Sequence, residues 1–199
     1  MAPKLILASQ SKTRKGLLEK LGVTFLSQPA DVDETPLKNE APLAYVKRIA
    51  ISKAETIAAT HPGCVILAAD SPVILGRRIL QTPQTEDEAK DMLKLQSGRR
   101  VAIPTVLVLV DSTGKLHHKT VNSWIKMKRL SASDINAYVD AGLWKHTAGG
   151  LKIELMENWI QTTHGSVSGI MGLPLYETEV LLARAGIQTN PFSKAEKAA

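Results

Sequence analysis

A single cysteine, Cys64, stands in a chain of 199 residues, which excludes an intramolecular disulfide and any zinc cage built from several thiolates. The thiol is expected in the core of a protein from a reducing compartment. Aromatic residues make up only 4%, too few for the repeated stacking platforms that grip single-stranded nucleic acid. No apolar run reaches the roughly 20 residues a membrane span needs, and no secretory signal is visible at the N terminus. A cytoplasmic protein without a membrane partner is therefore expected. GxxxxGK[ST] is missing, so a P-loop nucleotide site is not supported. The five histidines show no HExxH or comparable zinc spacing, and His117 and His118 fall in an expected hairpin connection. No GxSxG surrounds Ser9 or Ser11, which removes the usual context of a serine nucleophile.

What is present is ordinary for a globular protein: 44% hydrophobic residues, 22% charged residues and a net charge of +6. The length suits one domain, read as residues 1–187, followed by a frayed tail at 188–199. The basic residues are scattered rather than gathered in a block. An anionic partner follows, and a nucleotide fits as well as nucleic acid.

Along the chain, Leu5–Leu7 reads as a buried strand, and Ser11 as the N-cap of a helix whose Leu17, Leu18 and Leu21 share a face before Gly22 ends it. A loop with acids at Asp31, Asp33 and Glu34 follows, then a helix over 41–60. Cys64 to Ala69 is a continuous apolar run, as in a strand covered on both faces, and it delivers Asp70 at its C-terminal end. Val73–Leu80 suggests a hairpin, Glu86–Leu95 a helix, and Val101–Val110 pairs with Val121–Leu130 across the turn DSTGK. Ser133–Ala141 forms a short capped helix, Lys152–Leu155 a strand after the glycine-rich TAGGL, and Tyr176–Ala185 a last helix stopped by Gly186. Strands mixed with helices give an α/β fold whose hairpin-rich half makes the sheet mixed.

Two groups of residues could carry chemistry. Helix-start amides beside the hydroxyls of Ser9 and Ser11 and the cations Lys12, Arg14 and Lys15 suit a phosphate, through dipole, hydrogen bonds and charge together; a plain helix cap with solvated cations is the alternative. The loop acids and Asp70 supply hard oxygen donors of the kind that hold Mg²⁺ together with phosphate oxygens; for the loop acids, the alternative is solvated surface. Asp70 has more weight, because α/β sheets bind ligands beyond the carboxyl ends of their strands.

Read in order, LILASQSKTRKGLLEKLG, DVDETP, YVKRIAISKAE, ILAADSPV, EDEAKDMLKLQSG and GLPLYETEVLL resemble the Maf family of nucleoside triphosphate pyrophosphatases. The resemblance implies a Maf/inosine-triphosphatase-like mixed β-sheet with flanking helices and a nucleotide cleft between two lobes. It also implies hydrolysis of the α–β phosphate linkage with a divalent cation, Mg²⁺ or Mn²⁺, in a homodimer. By position, Ser9, Ser11 and Arg14 match the family's phosphate-binding turn, in which Thr13 also lies as a substrate-binding candidate, Glu34 its acidic metal-binding loop and Lys53 its helix lysine. Asp70 matches its general base and a metal ligand, and Ser71 keeps a hydroxyl beside it.

Two departures stand out. Thr13 replaces a residue that is usually arginine, and Thr82 a lysine; Arg77, Arg78 or Lys12 are the candidates to replace the lost charge. Glu154 stands where the pyrimidine-preferring branch usually has glutamine. Because a carboxylate accepts from two donors and guanine offers two on one edge, Glu154 leans toward guanine, including 7-methyl-GTP. A regulatory nucleotide-binding paralogue linked to cell division, with a decayed phosphate site, is the alternative function. Nucleic-acid binding ranks last.

Overall fold

A computed structural model describes residues 4–192. Ten strands form two five-stranded sheets. The first contains β1 (Leu5–Leu7), β2 (Phe25–Ser27), β3 (Val65–Asp70), β7 (Thr105–Val110) and β8 (Leu116–Val121), in the order β2-β1-β3-β7-β8. β1 runs parallel to β2 and β3, whereas β3, β7 and β8 are antiparallel neighbours. The second contains β4 (Val73–Leu75), β5 (Arg78–Leu80), β6 (Arg100–Ala102), β9 (Trp124–Met127) and β10 (Ile160–His164), in the order β10-β9-β6-β4-β5, and is antiparallel throughout.

Alternation along the first sheet explains its layers. Leu5, Leu7, Leu67, Leu107 and Leu109 face helices α1 (Lys12–Glu19) and α6 (Leu175–Arg184), while Ile6, Ile66, Val106 and Val108 face α2 (Pro42–Thr60). Covered on both faces, β3 and β7 are buried at every residue, as their unbroken apolar sequence requires. Each such leucine or isoleucine contributes about 1.5–3 kcal/mol by leaving water. The second sheet packs Val101, Ile125 and Met127 against α3 (Glu86–Gln96) and α4 (Ala132–Asp140). α3 is capped by Thr85 and α4 by the Ser131–Asp134 capping box, two residues before the start expected at Ser133.

The mixed sheet read from sequence is thus two sheets, and the reason lies at proline. The apolar run Val101–Val110 is cut by Pro104, which has no N–H to donate to a ladder, and the chain passes there from β6 in one sheet to β7 in the other. β3 passes into β4 through Ser71 and Pro72, and β8 into β9 through Asn122 and Ser123. Hydroxyls stitch this seam: Ser71 and Thr105 lie 2.8 Å apart, and Thr105 donates to the Gly169 carbonyl, also at 2.8 Å.

Other expectations are revised. His117 and His118 lie in β8, where His117 pairs with Asp111 at 2.9 Å. Lys152–Leu155 is not a strand; Ile153–Leu155 is a 3₁₀ turn, because the preceding glycines fold the segment back on itself. Cys64 is half-buried at the start of β3 rather than in the core. β10, mostly polar and exposed, had no apolar pattern to reveal it, and β2 is only three residues long, with Leu26 and Ser27 exposed. Of the tail expected to fray, Thr189 bonds Glu179 at 2.6 Å and Asn190 donates to the Leu21 carbonyl at 2.8 Å, while 193–199 lie outside the described residues.

Candidate active site

The site is assembled at the seam. β3 ends in Asp70, only 7% exposed, and α2 lies along that strand with Val46, Ile49, Ala50 and Lys53 on its inward stripe. A lysine on such a stripe must find a counter-charge, and Lys53 finds two. Its Nζ lies 2.9 Å from Asp70 Oδ1 and 2.9 Å from Glu34 Oε1. Side chains of α2 also hold the loop that carries Glu34. Tyr45 Oη donates to the Glu34 carbonyl at 3.0 Å, and Arg48 donates to the Thr35 carbonyl at 3.1 Å and to both oxygens of Glu40 at 2.8 Å. Those bonds from Arg48 pull the Glu40 carboxyl down to about 2. Burial pushes the Tyr45 phenol up.

The turn between β1 and α1 forms the facing wall. The buried Ser9 accepts from the Ser11 amide at 3.2 Å, and Ser11 caps α1 by accepting from the Arg14 amide at 3.3 Å. Arg14 Nε donates to the Gly172 carbonyl at 2.9 Å. Gly172, at φ 109°, leaves room for that contact; a Cβ there would come within 3.2 Å of Arg14 Nε. Burial lowers the Arg14 pKa while Asp70 and Glu34 act to raise it, which places the guanidinium within the field of both carboxylates.

The second lobe contributes the segment after α4. Gly149, at φ 60°, packs so closely on Val73 that a Cβ would lie 2.8 Å from its side chain, and its carbonyl accepts from Gln96 Nε2 at 2.8 Å. From this anchor the 3₁₀ turn projects Glu154, whose Oε1 accepts from the Thr13 hydroxyl at 2.5 Å, closing the cleft between the lobes.

Two adjoining hollows make up that cleft, of about 320 and 660 Å³, sharing Ser11, Thr13, Arg14, Lys53 and His146. The residues matched to the family by position line it: Ser9 in the larger part, and Glu34, Asp70, Ser71 and Glu154 in the smaller. Asp31 and Asp33 do not; Asp33 instead accepts from the Thr35 amide, and the Thr35 side chain together with that amide lowers its pKa. Thr82 lines the smaller part, but Arg77 and Arg78 line neither, so of the three candidate replacements for the lost charge only Lys12 reaches the cleft. Lys145 and His146 also line it. No motif announced them; the one available signal was their position just before the glycine-rich turn.

Among the described residues no three His, Cys, Asp or Glu side chains gather as a closed metal cage. Asp70 and Glu34 nonetheless meet at one ammonium, and the trio carries a net charge of −1. Two hard carboxylates with a residual negative charge suit Mg²⁺ or Mn²⁺ completed by phosphate oxygens and water.

Comparison with known proteins identifies the family. The family described as Maf-like protein matches residues 4–185. A dTTP/UTP pyrophosphatase of Zymomonas mobilis subsp. mobilis is 45% identical, with 94% of this chain and 93% of that protein covered. A nucleoside triphosphate pyrophosphatase of Ehrlichia canis is 43% identical over 90% of this chain and 95% of its own. Among solved structures, a HAM1 protein from Coxiella burnetii superposes with a TM-score of 0.51 at 17% identity, covering 92% of this chain and 100% of that one. It shares the fold.

Proposed function

This chain belongs to the family of Maf-like proteins, and on that premise we propose that it hydrolyses nucleoside triphosphates to nucleoside monophosphate and pyrophosphate. The observation that carries the reading is the Glu34–Lys53–Asp70 trio, set in a cleft whose opposite wall is the Ser9–Arg14 turn. Phosphate oxygens accept from the helix-start amides and hydroxyls of that turn, and Arg14 adds charge. Asp70 takes a proton from the attacking water as the α–β anhydride bond breaks; pyrophosphate leaves. Lys53, 2.9 Å from Oδ1, orients Asp70 for that task. Asp70 and Glu34 would hold a divalent cation, which would neutralise charge on the triphosphate.

For the base, the Thr13–Glu154 bond supports a reading other than guanine. Guanine pairing takes both oxygens of Glu154 as acceptors, and Oε1 already accepts from the Thr13 hydroxyl, which competes with a guanine donor for that oxygen. Uracil and thymine present one such donor, N3–H, between two carbonyls. The proposed preference is therefore for dTTP and UTP, in keeping with what the Zymomonas relative is named for. Incubation of the protein with dTTP, UTP, CTP, GTP and 7-methyl-GTP, with Mg²⁺ or Mn²⁺, tests both parts. Monophosphate and pyrophosphate should form in equal amounts, fastest from dTTP and UTP; a preference for GTP or 7-methyl-GTP restores the guanine reading.

A further inference from the structure

The two parts of the cleft differ in charge. Asp70, Glu34 and Glu154 all line the smaller part. No acidic residue lines the larger part, which has Lys12 and Arg14 on one wall and Lys145, His146 and Lys152 on the other. Lys53 borders both but is already matched by two carboxylates. Among the described residues, no carboxylate lies within ion-pair distance of Lys12, Lys145 or Lys152. Cations facing one another across a hollow repel unless an anion lies between them.

The segment bearing Lys145 and His146 is held at both ends. Trp144, 5% exposed, donates to the Val139 carbonyl at 3.2 Å, and Gly149 is pinned by Gln96 and Val73. Between these anchors His146 has φ 61°, one of two non-glycine residues among those described in the left-handed region. A residue with a Cβ adopts that conformation at a cost, and such costs gather at ligand sites. Here the backbone brings an imidazole to the border of both hollows.

We propose that Lys145, His146 and Lys152 form a second phosphate-binding wall, which holds the outer, pyrophosphate portion of the nucleotide against the Ser9–Arg14 turn. The inference rests on the pyrophosphatase reading and adds to it the direction of the triphosphate: inner phosphate over Asp70, outer phosphates in the cationic hollow. It also explains how the site tolerates threonine at position 82, since the positive charge comes from the other side of the cleft.

The test is calorimetric binding of inorganic pyrophosphate, with and without Mg²⁺, to the full chain, to a Lys145→Met/Lys152→Met double variant and to His146→Gly, which suits the observed φ. UMP is the comparison ligand. Loss of charge-assisted contacts should weaken pyrophosphate by roughly tenfold or more in the double variant and several-fold in His146→Gly, with UMP changed by less than about twofold. Unfolding temperatures should be unchanged. Equal pyrophosphate affinity in the natural chain and the double variant, or no binding by the natural chain, overturns the proposal. Turnover on the same preparations separates the two readings. Active protein whose pyrophosphate affinity ignores the substitutions overturns the wall alone; inactive protein whose affinity falls with them keeps the wall and overturns the pyrophosphatase reading.

Discussion

Lys53 Nζ lies 2.9 Å from Asp70 Oδ1, an ammonium and a carboxylate both close to nine-tenths buried, drawn together by a helix and the end of a strand. The pair sits where three strands leave one sheet for the other, and Glu34 completes it from a loop. A charge so placed is costly unless matched, so each member of the trio fixes the others.

Asp70→Asn should lower kcat by on the order of 10²-fold or more, because the amide keeps the shape but cannot take a proton. Lys53 still pairs with Glu34, so nucleotide affinity and unfolding temperature should change little. Steady-state kinetics with parallel thermal unfolding check this; near-normal turnover removes Asp70 as the base.

Lys53→Met leaves the Asp70 carboxylate buried without its counter-ion. A loss of about 1–3 kcal/mol is expected, below the full cost of breaking a buried pair because Glu34 is partly in water. Urea unfolding measures it. Combining Lys53→Met with Asp70→Asn should recover part of the loss, since the uncompensated charge is then gone.

Thr13→Val tests the base-reading arrangement. With the hydroxyl removed, both oxygens of Glu154 become free to accept, and guanine can present its paired donors. The ratio of kcat/KM for GTP to that for UTP should rise by roughly tenfold, within the 1–3 kcal/mol scale of a bidentate base contact. Glu154→Gln in the same background should reverse the gain. Equal changes on all nucleotides exclude Glu154 as the residue that reads the base.

Acid stability should report the loop anchor. Arg48 holds the Glu40 carboxyl at about 2, below the ~4.3 of an unfolded glutamate. The folded state therefore binds fewer protons in this range, and the pair's contribution is present above about pH 4.3 and is lost as pH falls toward 2. Glu40→Gln should flatten the pH dependence of unfolding across that window and leave the dependence near neutrality unaltered. Urea midpoints from pH 2 to 7 measure it.

Much of this site was legible because its parts are local. A strand, a serine cap and a leucine-faced helix specify the phosphate turn within eighteen residues, Leu5 to Gly22. The apolar run before Asp70 identifies a central strand and so the exposed carboxyl end. What escaped depends on distant contacts. The apolar pattern runs straight through Pro104 although the chain changes sheets there. The left-handed His146 and its neighbour Lys145 face the phosphate turn only because Gln96 and Val73 hold Gly149. The Thr13–Glu154 bond, which alters the reading of the base, joins residues 141 positions apart.

The most direct test of the account is product analysis by ³¹P NMR after incubating the full chain with dTTP and UTP in the presence of Mg²⁺ or Mn²⁺. The account predicts nucleoside monophosphate and pyrophosphate in equal amounts, with no diphosphate intermediate, formed on the order of 10²-fold or more slowly by Asp70→Asn under the same conditions. Release of orthophosphate with accumulation of nucleoside diphosphate, or intact triphosphates alongside the folded protein, would contradict it.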